Sequence, residues 1–100
     1  MRSIPLIVVA STSAVLAENV AANLRRDGSV VYVAHSAEGC LRVATSVGPD
    51  MVVLDRALPP RLERLLHAHP ASAKARIMHV DDQMITRRVA PPEPWLHAAA

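Results

Sequence analysis

The chain has 100 residues, 51% of them apolar, and its aromatics are just Tyr32 and Trp95. That describes one small domain with a core of Val, Leu, Ile, Met and Ala, and it excludes intrinsic disorder, a coiled coil and collagen. The net charge of +2 balances 11 Lys and Arg against 9 acids. It lacks the dense basic patch with stacking aromatics that a nucleic-acid surface needs.

The first element is Ile4–Ala10, an unbroken apolar run with Pro5 near its start. It is too short to span a bilayer, and it suits a strand buried on both faces. Arg2 is followed by no long apolar region and no cleavage site, so the expected location is the cytoplasm, without membrane contact. Ser11-Thr12-Ser13 offers N-caps for a helix whose stripe is Val15, Leu16, Val20 and Leu24, ended by Asp27-Gly28. A second strand, Ser29–Ala34, is rich in β-branched residues. Ser36 then caps a helix over 37–47, with Leu41, Val43, Ala44 and Val47 inward, stopped by Gly48-Pro49.

Met51–Leu54 is a third buried strand that delivers Asp55 at its carboxyl end. After the rigid turn Leu58-Pro59-Pro60, a short helix over Arg61–His69 turns Leu62, Leu65 and Leu66 inward, and Arg76–Val80 is a fourth strand. Strands alternating with helices predict an α/β, doubly wound parallel sheet over residues 1–80. Residues 81–100, with Pro91, Pro92 and Pro94, read as an irregular tail, with a short edge strand near 84–89 as one reading of its start. Cys40 is the lone cysteine, so no internal disulfide forms, and a half-buried, inert thiol is expected.

The segment Pro49–Pro60, P-D-M-V-V-L-D-R-A-L-P-P, resembles the third strand and following loop of response-regulator receiver domains, although Pro60 stands where Gly is usual. Asp27-Gly28, the valine-rich strand after it and Ser36-x-x-x-x-Leu41 resemble the second βα unit of the same family. The resemblance covers residues 4–80. It implies the strand order 2-1-3-4, with a fifth strand short or missing and the domain shortened at its C-terminal end.

By resemblance, Asp55 is the position that takes a phosphoryl group from a histidine kinase, beside a Mg2+ held by an acidic pair ending the first strand. Here Ala10 and Ser11 fall at the pair, and Val80 falls where the family carries a Ser or Thr. The only lysine, Lys74, precedes the fourth strand, at the wrong end of the sheet for the family's lysine. Asp81 and Asp82 follow the fourth strand and, with Asp55, are the candidate metal ligands; a solvated acidic loop is the plainer reading of that pair.

His67 and His69 do not share a helical face as metal ligands would, His79 reads as a core-edge residue and His35 as a loop residue. No glycine-rich phosphate loop and no nucleophile elbow occurs, so no enzymatic activity is expected. A shortened C-terminal end would leave a sheet edge and an apolar face to cover. A homodimer is the first expectation there, and fold-back of Trp95 and Leu96 or a different protein partner are the others.

The expectation is therefore a degenerate receiver-like module that signals through protein contact, without regulated phosphorylation and without a cofactor. The alternative is a working phospho-receiver with Asp55 as acceptor, Mg2+ as cofactor and a histidine kinase as partner.

Overall fold

A computed structural model describes residues 4–80. Four strands, β1 (Leu6–Ala10), β2 (Val30–Ala34), β3 (Met51–Asp55) and β4 (Arg76–Val80), alternate with three helices, α1 (Ala14–Arg26), α2 (Ala37–Val47) and α3 (Arg61–Ala68). All pairings are parallel, in the order β2-β1-β3-β4. The expected α/β fold and strand order are thus found. The expected edge strand near 84–89 and the tail of 81–100 lie outside the described residues.

The order fixes where the helices lie. From β1 the chain steps one way to β2, then crosses back over β1 to β3 and continues to β4. Right-handed crossovers in opposite directions put their helices on opposite faces of a sheet. Accordingly α1 packs on one face, while α2 and α3 pack on the other. The direction changes between β1 and β3, and at such a switch point the carboxyl ends of the strands border a crevice.

Both faces are covered along β1 and β3, so neither strand shows polar alternation. Ile7, Val9 and Val53 meet Leu16, Ala17, Val20 and Ala21 of α1. Val8, Val52 and Leu54 meet Cys40 and Ala44 of α2 and Leu62 and Leu66 of α3. Ala17, Ala21 and Ala44 are wholly buried. Their small side chains let the helices approach the sheet closely, which a core nearly free of aromatics requires.

The caps follow the sequence. The Ser13 hydroxyl accepts from the Leu16 amide 3.2 Å away and the Ser36 hydroxyl from the Gly39 amide at 2.9 Å. Gly48 closes α2 in the left-handed conformation, φ 61°, where a side chain would be strained. Asp50 carries a structural role: its Oδ2 accepts from the Leu6 amide at 2.8 Å, and its backbone joins Leu6 and Arg76 at the start of the sheet.

Two inward assignments and the expected burial of Cys40 need correction. Val15 is 71% exposed, because the buried stripe of α1 runs through Leu16, Ala17, Val20 and Ala21 and leaves Val15 nearly opposite. Leu65 is 46% exposed, on the flank of the Leu62–Leu66 stripe of α3. Cys40 is fully buried under α2, not half-buried.

These two leucines give a direct check on the packing. Leu66→Ala removes a fully buried side chain and is expected to cost about 2–5 kcal/mol, whereas Leu65→Ala stays within about 1 kcal/mol. Urea denaturation of both variants measures the difference.

Candidate functional site

Asp55 ends β3 at the switch point and is buried, with 7% of its surface exposed. Side chains alternate along a strand, so Asp55 follows Val53 onto the α1 face while Leu54 turns to the α3 side. Ala10 of β1 is in register with Leu54, which brings the next residue, Ser11, beside Asp55. Ser11 is 1% exposed.

The Ser11 hydroxyl donates to Asp55 Oδ2 at 2.7 Å, and the Ser11 Oγ accepts from the Ser13 amide at 3.0 Å. The Ala57 amide donates to Asp55 Oδ1 at 3.0 Å, and the Leu58 amide donates to the Asp55 carbonyl at 3.0 Å. Both carboxylate oxygens therefore have donors, and neither donor is charged. One continuous set of bonds links the end of β3, the end of β1 and the first turn of α1, where Ser13 is the N-cap.

Val80 is in register with Asp55 on the neighbouring strand, and its carbonyl accepts from the Arg56 amide at 2.8 Å. Its apolar side chain joins the α1-side core and gives Asp55 no hydrogen bond. Lys74 lies in the turn before β4, at the opposite end of that strand from Val80. The structure thus brings Ala10, Ser11, Asp55 and Val80 together and leaves Lys74 away from them. Asp81, Asp82, Trp95 and Leu96 lie outside the described residues.

The described residues do not fit the Mg2+ that the resemblance implies. That ion takes hard oxygen ligands in near-octahedral geometry. Ala10 has no ligand atom, and the one neutral oxygen of Ser11 is committed to Asp55 and Ser13. Among the described residues no three His, Cys, Asp or Glu side chains come together to hold a metal ion.

A cleft of about 200 Å3 opens at the end of β3, lined by Asp55 and Arg56 together with Leu54, Leu58, Pro59, Pro60, Glu63 and His79. Across it His79 Nε2 of β4 lies 3.0 Å from Glu63 Oε1 of α3, each side chain well over a third exposed. His79 is thus part-exposed on β4 and a partner of Glu63. Sequence reading missed this pair, because the two residues stand 16 positions apart with no periodicity to signal it. His69 Nδ1 accepts from the Ala71 amide at 3.1 Å, which makes it a turn residue. His35 is exposed after β2. Burial pushes the Cys40 thiol up from the usual 9.0 to about 11, so it is a poor nucleophile at neutral pH.

No protein-family model matches the chain, and no curated protein matches it in sequence. The fold does match solved structures. One is the N-terminal domain of a response regulator receiver protein from Methanoculleus marisnigri JR1, with a TM-score of 0.69 and 20% identity, covering 97% of this chain and 90% of that one. Another is a response regulator receiver protein from Pseudomonas putida, with a TM-score of 0.66 and 22% identity, covering 89% of this chain and 79% of that one. The chain has the fold of those receiver proteins, with an uncharged serine facing its strand-end aspartate. Among the described residues no helix is long and apolar enough to cross a membrane.

The Cys40 thiol gives a pH signature. Unfolded, it ionises near its usual 9.0, while folding holds it protonated to about 11. The unfolded state therefore binds fewer protons than the folded one between these values, and stability falls as pH rises through that window. Urea titrations between pH 8 and 11 should show a smaller fall for Cys40→Ala than for the wild type, and a thiol reagent at pH 8 should label Cys40 only as the protein unfolds.

Proposed function

We propose that this chain is a receiver-like signalling module that acts through protein–protein contact, without regulated phosphorylation of Asp55 and without catalytic activity of its own. The observation that carries this reading is the Ser11–Asp55 hydrogen bond of 2.7 Å at the switch point of the sheet. A phosphoryl group is strongly anionic, and a carboxylate can meet it only where opposing charge is neutralised in the transition state. The donors to the Asp55 carboxylate are a neutral hydroxyl and a backbone amide, and Val80 stands in register with it.

Three features support a contact role. The fold is shared with two receiver proteins at TM-scores of 0.69 and 0.66. The carboxyl edge that would carry chemistry is internally hydrogen-bonded. The surface bears isolated apolar side chains, among them Val15 at 71% and Leu65 at 46% exposure. The partner of this reading is another signalling protein or a second copy of the chain, and the module acts in the cytoplasm with no nucleic acid bound.

Beryllofluoride with Mg2+, which mimics a phosphoryl group on a carboxylate, separates this reading from a working phospho-receiver. The amide resonances of Asp55 and Ala57 are expected to stay in place, and acetyl phosphate is expected to add no mass to the protein. A beryllofluoride-dependent shift lost in Asp55→Asn, or a phosphoryl mass increment lost in that variant, overturns the reading in favour of Asp55 as phosphoryl acceptor.

A further inference from the structure

We propose that the groove between α2 and α3 is the docking surface of this module, and that its partner is an acidic amphipathic helix of another protein. The inference rests on the contact reading given above and adds where the contact falls and what chemistry it selects.

The groove follows from how the two helices sit. They lie side by side on one face of the sheet, and the stripe that α3 buries runs through Leu62 and Leu66. Leu65 turns off that stripe toward α2 and stays 46% exposed. With Leu41 of α2, Pro59 and the flank of Leu62 it lines a notch of about 100 Å3. Small-molecule sites run from about 300 Å3 upward, so the notch has the scale of one inserted side chain. The 8 residues of α3 rise about 12 Å, or two turns. The surface thus takes two turns of a helix laid along it, with one aliphatic side chain in the notch and its i+3 or i+4 neighbour on the same seam.

The charges around the groove choose the partner. Glu38 and Arg61 line it. Arg42 stands one turn beyond Glu38 on α2, and Arg64 one turn beyond Arg61 on α3, so both flank it on the solvent side. All four residues are exposed, and among the described residues none of their side chains is held in an ion pair. Three arginines against one glutamate leave the rim positive. An apolar seam edged by such guanidinium groups is complementary to a helix that carries aliphatic anchors with carboxylates beside them.

A second copy of this chain does not offer that surface. Each described helix carries a single acidic residue, Glu18, Glu38 or Glu63, and none is net acidic. A symmetric contact through the same groove would also set the arginine-rich rims of two copies against one another.

The test uses the full chain and three labelled peptides of about 16 residues, long enough to form a helix. One has leucines at i, i+4 and i+7 with glutamates beside them. The second replaces the glutamates by lysines, and the third replaces the leucines by serines. Fluorescence anisotropy measures binding, and the amide resonances of the chain locate it. The acidic leucine peptide is expected to bind saturably, about tenfold or more tighter than either control at low salt, and to weaken as NaCl is raised. The amides of Leu41 and Leu65 are expected to shift, while those of Ser11 and Asp55 stay in place.

Arg61→Glu with Arg64→Glu is expected to weaken the acidic peptide about tenfold or more and to strengthen the lysine peptide, a reversal that lost packing does not produce. Leu65→Ser, at an exposed site, is expected to weaken the acidic peptide with little change in Tm. If the charge-reversed variant does not fold, Leu65→Ser decides: binding as tight as that of the wild type overturns the proposal. No saturable binding, equal binding of the lysine peptide, or shifts away from α2 and α3 also overturn it. So do groove amides that move with protein concentration alone, which assign the groove to a second copy. Groove amides that move on Trp95→Ala with Leu96→Ala, without peptide, assign it to the chain's own C-terminal segment and overturn it as well. None of these outcomes alters the beryllofluoride result, so failure of the groove and failure of the reading of Asp55 are told apart.

Discussion

A carboxylate buried at the end of a central strand must find donors within the protein, and here it finds Ser11. That single requirement organises the carboxyl edge of the sheet. Asp55 is held on one oxygen by a hydroxyl from the neighbouring strand and on the other by the amide of Ala57, which begins the turn into Leu58. The hydroxyl is in turn fixed by the Ser13 amide, and Ser13 is the residue that starts α1. The end of β3, the end of β1 and the entry to α1 are thereby positioned together, and they are the elements that a doubly wound sheet brings to its ligand-binding crevice.

Among the described residues, no charged donor bonds the Asp55 carboxylate. The donors to Asp55 are neutral, and the strand beside it presents valine methyls. Hydrogen bonds from neutral donors satisfy a buried acceptor without supplying the field that a more highly charged transition state needs. The Glu63–His79 pair lines the cleft that Asp55 borders, and Leu65 is exposed on α3.

Much of this architecture is legible in the sequence because the physical signals are local. Unbroken apolar runs mark β1 and β3, serines and glycines mark the helix ends, and Asp55 follows its strand directly. The position of Ala10, Ser11 and Val80 around Asp55 also follows from strand order alone, once the elements are placed. What the residues do not announce depends on helix rotation and on distant pairing. Val15 and Leu65 are apolar and adjacent to buried stripes, yet one lies opposite its stripe and the other on its flank. Only the packing of α1 and α3 on the sheet decides this. The Glu63–His79 contact joins a helix to a strand across a turn, and the bond from Ser11 to Asp55 spans 44 residues. Register predicts that Ser11 and Asp55 are neighbours, but the choice of a hydroxyl donating to Oδ2 comes from side-chain geometry.

The central claim is that Ser11 and Asp55 form one energetic unit, and a double-mutant cycle on the full chain measures that directly. Ser11→Ala, Asp55→Ala and the double variant are unfolded in urea, and their free energies are compared with the wild type. The account predicts that the double variant loses less stability than the sum of the two single variants, with a coupling of about 1 kcal/mol or more, as expected for a buried hydrogen bond to a carboxylate. Additivity within about 0.5 kcal/mol, the behaviour of independent sites, would contradict it.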